Sequence, residues 1–205
     1  KELATRIRDA NILAFPDGAV LGNEPISGGK LYKLILDNPY VREAIEDHIH
    51  QKAGLILGIG NGFQALVKSG LIDYGRVKPN EAKTTINSNQ TGRFISTLVD
   101  VRVRSNKSPW LSGMEVGHVY TVPLATYEGR IILSEVNDTV KEQIGTEFAS
   151  LNLTGSQLNI ESLSCQMGNI FGTLTAIDRV GPDLYKNVDI KGEHNIFKAG
   201  INYFK

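Results

Sequence analysis

Apolar residues occur in short runs, and along the first seventy positions strand-like runs alternate with helical patterns. Two runs, Asn11 to Phe15 and Leu55 to Ile59, are short, apolar and followed by glycine turns, which predicts strands. Helical spacing predicts helices over residues 1–10, Leu31 to Leu36 and Pro39 to His50, the last with Asn38 as its cap. Alternating strands and helices indicate a mostly parallel sheet covered on both faces.

Beyond Gly70 the pattern changes to alternating polar and apolar residues. Phe94 to Arg104 alternates, with Asp100, Arg102 and Arg104 on its polar face, and Leu158 to Leu163 and Ile170 to Leu174 flank a glycine turn that predicts a hairpin. Further patterns predict strands at Val119 to Leu124 and Arg130 to Leu133, and a short helix at Val136 to Gln143. The second half is therefore predicted to be mixed or antiparallel β structure. Without a repeat or a clear linker, residues 1–205 are predicted to form one domain.

Composition narrows the classes of partner. The 22 basic and 22 acidic residues cancel, so no net field favours nucleic acid or an anionic membrane. The apolar runs are too short to span a bilayer, and no signal-peptide pattern is present. Cys165 is the single cysteine, which excludes an internal disulfide and favours a cytoplasmic location.

The stretch from Gly54 to Gly70 predicts a buried strand, a sharp glycine turn and a helix, which is the order of a nucleophile elbow. An elbow presents its nucleophile at the turn, and here that position is Gly60, which has no side chain. Two other interpretations stay open. The turn could bind a nucleotide phosphate, although its third glycine, Gly62, comes one position too early for that fingerprint. It could also be a tight turn without chemistry.

Other candidate groups favour structural roles. His48 and His50 are two residues apart, whereas a helical metal pair is usually four apart, so no metal site is predicted. Cys165 has no histidine within several residues and is expected to be a small buried apolar group. Trp110 is expected to be a packing anchor.

An ordered series of segments covers nearly the whole chain. It comprises Gly22-Asn-Glu-Pro25, Gly28-Gly-Lys30, Gly54 to Tyr74, Thr91-Gly-Arg93, Ser105 to Trp110, Glu128-Gly-Arg130, Leu184 to Val188 and Ile196 to Lys205. In order and spacing it resembles the glutamine amidotransferase domain at the C-terminal end of phosphoribosylformylglycinamidine synthase. The resemblance implies a class I, flavodoxin-like α/β fold, a three-layer sandwich with a mostly parallel central sheet and a mixed β portion.

The resemblance also implies a chemistry. In that family an elbow cysteine attacks the glutamine amide, a late His-x-Glu motif activates it, and ammonia passes to a synthetase domain that uses ATP and magnesium. The matching positions here are Gly60 for the cysteine, Ala176 for the histidine and Asp178 for the glutamate. The histidine usual before Glu-Gly-Arg is Tyr127, and a glycine of the oxyanion loop is Asp17. Rescue by Cys165 or His118 would need another geometry, so we expect no active catalytic residue.

These substitutions favour a catalytically degenerate amidotransferase-like domain with a structural or regulatory role beside a synthetase domain or subunit. Its vacant pocket could bind a small molecule through Gly18, Gly60, Asn61, Gln64 and Tyr127. No cofactor is expected in this domain itself. The alternatives are an active glutamine-hydrolysing subunit of the same synthase, and an unrelated small-molecule or nucleotide binding module.

A second departure from the family lies at the start of the chain. The family's domain opens with a strand, a helix and a further strand before the helix that ends near Ala10, and this chain has no room for them. We therefore expect either a fragment of a longer protein or a sheet completed by another chain or a preceding domain, because a bare parallel edge would be exposed.

Overall fold

The structure is a computed structural model that describes residues 1–18, 28–78, 80–181 and 183–205. Within those ranges the helices are α1 (Glu2–Asp9), α2 (Gly28–Asp37), α3 (Pro39–His50), α4 (Asn61–Lys68), α5 (Leu71–Tyr74), α6 (Asp138–Glu142) and α7 (Ile196–Asn202). The strands are β1 (Ile12–Phe15), β2 (Leu55–Ile59), β3 (Thr85–Asn87), β4 (Ile95–Val103), β5 (Val119–Thr126), β6 (Arg130–Ile132), β7 (Thr146–Phe148), β8 (Ser162–Ser164) and β9 (Ile170–Thr173).

The central sheet has the strand order β1-β2-β9-β8. Strands β1, β2 and β9 run parallel, and β8 is antiparallel to β9. All five residues of β2 are buried, as expected for a parallel strand with both faces covered. The α/β class and the mostly parallel sheet predicted from the sequence are confirmed.

The mixed β portion is also confirmed. Strand β4 pairs antiparallel with β5 and β7, and β3 pairs antiparallel with β6. Arg102 and Arg104 of the alternating strand reach Glu147 at 3.2 and 3.3 Å. Glu147 therefore offsets one of the two positive charges on this polar face of the strand.

Some local predictions were wrong or incomplete. The first strand of the predicted hairpin is only Ser162–Ser164, because Gln157–Asn159 forms a 3-10 turn in which Leu158 has φ of 52°. The helix predicted from Leu31 begins three residues earlier, at Gly28. Strands β3 and β7 and helix α7 were not predicted. The segment Gly22-Asn-Glu-Pro25 lies outside the described residues.

Trp110 is a packing anchor, as predicted. Its side chain is buried, and its Nε1 donates to the carbonyl oxygen of Asn169 at 3.3 Å. Helix α7 approaches so closely that a Cβ added at Gly200 would lie 2.4 Å from the indole. Among the described residues, no helix is long and apolar enough to cross a bilayer.

Candidate functional site

The elbow predicted at Gly60 is present. Strand β2 ends at Ile59, α4 begins at Asn61, and Gly60 between them has φ of 51° and ψ of −111°. Residues other than glycine adopt this backbone conformation only with strain. The Gly60 N–H donates to the carbonyl oxygen of Thr173 at 2.9 Å, which fixes the turn against β9.

The carboxylate of Asp17 occupies the space in front of the turn. A Cβ built on Gly60 would lie 2.5 Å from both Cγ and Oδ1 of Asp17. The backbone N–H of Asn61 donates to Asp17 Oδ1 at 3.0 Å, and Asn61 Nδ2 donates to the carbonyl oxygen of Gly18 at 2.6 Å. In an elbow, the N–H after the nucleophile is an oxyanion donor. Here that donor already binds a carboxylate.

The late segment approaches the same place through Arg179. Its Nη2 lies 3.7 Å from Asp17 Oδ2, so the Asp17 carboxylate faces a cation as well as the N-terminus of α4. Ala176, at the histidine position, is buried, and its N–H donates to the carbonyl oxygen of Pro123 at 2.8 Å. Asp178, at the glutamate position, is exposed.

Beside this segment lies a buried carboxylate that the sequence reasoning missed. Glu161 is fully buried; Oε1 accepts from Thr173 Oγ1 at 2.5 Å and from the Thr175 N–H at 2.8 Å, and Oε2 accepts from Thr146 Oγ1 at 2.5 Å. Burial, and then the Glu161 charge, raise the pKa of Tyr120. Glu161 directly precedes the short strand Ser162–Ser164, and the sequence pattern there does not indicate that its side chain is buried.

The predicted binding residues converge, but little room remains between them. Gly60, Asn61, Gln64 and Tyr127 line one cavity of about 20 Å³, which Asp17 also lines. That volume holds about one water molecule. Gly18 adjoins it through its bond to Asn61, whereas Asp178 is not among the described residues that line it.

Gln64 lines this cavity with a side chain that is only partly hydrogen-bonded. Its Nε2 donates to the carbonyl oxygen of Glu128 at 3.2 Å, while its buried Oε1 has no hydrogen-bond partner among the described residues. The Gln64 side chain therefore retains one unused acceptor beside the elbow.

Other candidate nucleophiles and bases have structural surroundings. Cys165 is buried, its Sγ donates to Asn169 Oδ1 at 3.2 Å, and burial raises the pKa of its thiol. His118 Nε2 lies 3.0 Å from the carbonyl oxygen of Glu193. His48 is buried, whereas His50 is partly exposed and lies 3.2 Å from Glu46. The described residues contain no group of three or more His, Cys, Asp or Glu side chains placed to hold a metal ion.

A mostly parallel sheet whose second strand runs through a glycine elbow into a helix, with an early turn and a late segment meeting at that elbow, defines a class I glutamine amidotransferase-type domain. Residues 2–204 match the family described as the CobB/CobQ-like glutamine amidotransferase domain. The chain belongs to that family.

Curated relatives and solved structures agree with this assignment. A phosphoribosylformylglycinamidine synthase subunit PurQ from Nostoc sp. is 30% identical over 85% of this chain and 72% of its own length. The PurQ subunit of Thermotoga maritima is 28% identical over 76% of this chain and 64% of its own length. The PurLQS structure from Thermotoga maritima superposes with a TM-score of 0.74 at 24% identity, covering 96% of this chain and 81% of that one. At that identity the superposition establishes the fold.

A more distant structure carries the same fold. The glutaminase domain of Trypanosoma brucei CTPS superposes with a TM-score of 0.54 at 10% identity, covering 88% of this chain and 68% of that one. The prediction that the chain resembles the amidotransferase domain of phosphoribosylformylglycinamidine synthase is thus confirmed at the level of family and fold.

Proposed function

We propose that this chain is the amidotransferase-type domain of a phosphoribosylformylglycinamidine synthase that docks on a synthetase without hydrolysing glutamine. Its relatives named as PurQ subunits support the pathway, de novo purine synthesis. The name of the PurLQS assembly, which combines PurL and PurQ, supports a synthetase partner. In this proposal ATP and magnesium serve the synthetase, and this domain needs no cofactor of its own.

The observation that carries the proposal is the Asp17 carboxylate at the elbow. Hydrolysis of an amide needs a nucleophile at the turn and free N–H donors for the developing oxyanion. Gly60 offers no nucleophile, and the N–H of Asn61 donates to Asp17. A second negative charge at that N–H would meet a carboxylate about 3 Å away, which disfavours the transition state.

A second candidate, the active glutamine-hydrolysing subunit, is favoured by the retained frame. Gly60 lies at the turn between a buried strand and a helix, where a working elbow holds its nucleophile. The two candidates differ in whether any group replaces the nucleophile. A third, a binding module without a role in purine synthesis, is not supported by the relatives named as PurQ subunits.

The decisive experiment measures glutamate release from glutamine by the purified chain, with the Nostoc PurQ subunit and its synthetase as the positive control. We expect no release above a protein-free blank. Release that scales with protein concentration would establish the active subunit instead. Because a cysteine alone would still face Asp17, the Gly60→Cys variant is also expected to be inactive, whereas Gly60→Cys with Asp17→Gly tests whether clearing the oxyanion donor restores any rate.

The structural role needs its own test. The chain and the synthetase of the same organism are mixed and assayed with ATP, magnesium and either ammonium or glutamine as the nitrogen source. The proposal expects the chain to bind the synthetase and the ligase reaction to run with ammonium only. Equal rates with glutamine, or no association, would contradict it.

A further inference from the structure

A second, much larger cavity lies on the other side of Glu128 from the elbow. Its volume is about 810 Å³, within the range of small-molecule sites. Helix α4 contributes Val67 and Lys68, β3 contributes Ile86, and β6 contributes Arg130. The cavity therefore combines an apolar wall with two cationic side chains.

The Lys68 ammonium is only weakly paired, through one long ion pair with Glu128. Its Nζ is buried and makes no hydrogen bond to any described residue, and its nearest carboxylate oxygen, Glu128 Oε2, is 3.8 Å away. A buried ammonium without acceptors is costly, and a lysine stem is flexible enough to turn its head group toward an acceptor. The open space beside it is this cavity.

Arg130 supplies a second cation that is not committed elsewhere. It is exposed at the rim, where β6 pairs with β3, and the described parts of the chain give it no ion-pair partner. Lys33 also lines the cavity, but Asp37 neutralises it at 2.6 Å. Glu128 is the one carboxylate among the described lining residues, so the lining carries an excess of positive charge.

Neutral donors complete the lining. Thr85, the first residue of β3, and Ser88, just after its end, both line the cavity. A phosphate monoester carries close to two negative charges and three acceptor oxygens, which suits a lining that holds an ammonium, a guanidinium and hydroxyl groups. A carboxylate offers fewer acceptors and half that charge.

We propose that this cavity binds a phosphorylated small metabolite, with its phosphate between Lys68 and Arg130 and its body against Val67 and Ile86. The proposal does not depend on whether the chain hydrolyses glutamine. Glu128 forms a wall of both cavities, and its backbone carbonyl accepts from Gln64. A ligand bound in this cavity could therefore affect the elbow through Glu128 and Gln64.

The test uses AMP as the probe and adenosine as its phosphate-free match, titrated into the isotope-labelled chain and followed by amide NMR. We expect AMP to bind at least about tenfold more tightly than adenosine, since one charge-assisted contact supplies roughly that factor. The shifted amides should include those of Thr85, Ile86 and Lys68. No AMP binding up to about 5 mM, equal binding of adenosine, or shifts that map elsewhere would overturn the proposal.

Charge variants separate a phosphate site from a general surface effect. Lys68→Gln and Arg130→Gln should each weaken AMP binding about tenfold, while Lys107→Gln, which removes an exposed cation bound to Glu142, should leave it unchanged. Glu128→Gln should strengthen binding, because it removes the negative charge from the lining. Arg130 is exposed, so its variant remains informative if Lys68→Gln does not fold. Unchanged affinity in the Lys68 and Arg130 variants would overturn the assignment.

Discussion

The elbow cavity and the cavity beside it share Glu128 as a wall, yet they differ in almost every other respect. The elbow has a strained backbone conformation beside about 20 Å³ of space, whereas its neighbour is an open cavity of about 810 Å³ lined by ordinary strand and helix residues. The first is filled by a carboxylate that binds the turn's own N–H. The second presents an excess of positive charge to open space.

Different interactions therefore set the backbone of a site, here called its frame, and the side chains that occupy it, here called its contents. The backbone at Gly60 is held by the packing of α4 against β1, β2 and β9. The contents depend on single side chains such as Asp17 and Arg179, which can change without altering the sheet. The strand-turn-helix backbone therefore identifies the family, while the side chains around it decide which chemistry is possible.

The sharpest way to break the frame is Gly62→Ala. A Cβ at this buried position in the first turn of α4 would lie 1.9 Å from the carbonyl oxygen of Phe15 in β1. Neither backbone can move without disturbing the sheet, so we expect a loss of about 4 kcal/mol or failure to fold. Urea unfolding measures it, with Gly113→Ala as the control, where an added Cβ meets nothing within 4 Å. A Gly62→Ala protein as stable as the control would mean that α4 can shift away from β1.

The second test removes the buried carboxylate on the β9 side of the elbow. Glu161→Ala leaves the Thr146 and Thr173 hydroxyls and the Thr175 N–H without their acceptor. We expect a loss of about 3 kcal/mol in the free energy of unfolding. Glu115→Ala, at an exposed position, is the matched control and should change little. Equal small effects would show that Glu161 is dispensable to this side of the site.

A third test measures the coupling between the Asp17 side chain and the backbone conformation of Gly60. Gly60→Ala should cost about 3 kcal/mol, part from its positive φ and part from contact with Asp17. In an Asp17→Gly background only the φ cost should remain. The double-mutant cycle should therefore give a coupling free energy of about 1.5 kcal/mol. Additive effects would mean that the Asp17 carboxylate moves aside freely and does not close the elbow.

The fold could be predicted from the sequence wherever a pattern has one physical cause. The run Leu55–Ile59 is apolar throughout because β2 is buried on both faces, and its bounds were predicted correctly. Helix α3 was also bounded correctly, since Asn38 accepts from the Tyr40 N–H and Pro39 occupies the first turn. Short elements such as β7 escaped prediction because three residues carry too little periodicity.

The position of the site could be predicted from the sequence, but the side chain that occupies it could not. Glycine spacing located the elbow, and the resemblance brought Gly18, Gln64 and Tyr127 to it. The resemblance placed Asp17 in the oxyanion loop, but the direction of its carboxylate was left open, because no local pattern tells where a loop carboxylate points. The burial of Glu161 was hidden for the same reason: its acceptors are satisfied by hydroxyl groups up to fifteen residues away.

The smallest effect concerns the rear of the frame, where α3 packs against the start of β2. Burial, and then the Lys52 charge, lower the pKa of His48, whose Nε2 lies 3.3 Å from the carbonyl oxygen of Leu55. The unfolded chain therefore binds a proton, with a pKa of about 6.5, at a pH where the folded chain does not. The stability that His48 contributes is complete above that pH and is lost as the pH falls below it. Urea unfolding between about pH 8 and pH 5 should show this decline, and His48→Gln should flatten it, leaving the share of His194, whose pKa burial also lowers. If the free energy of unfolding falls as steeply with pH in His48→Gln, other groups cause the acid sensitivity. The packing of α3 against β2 would then not depend on pH.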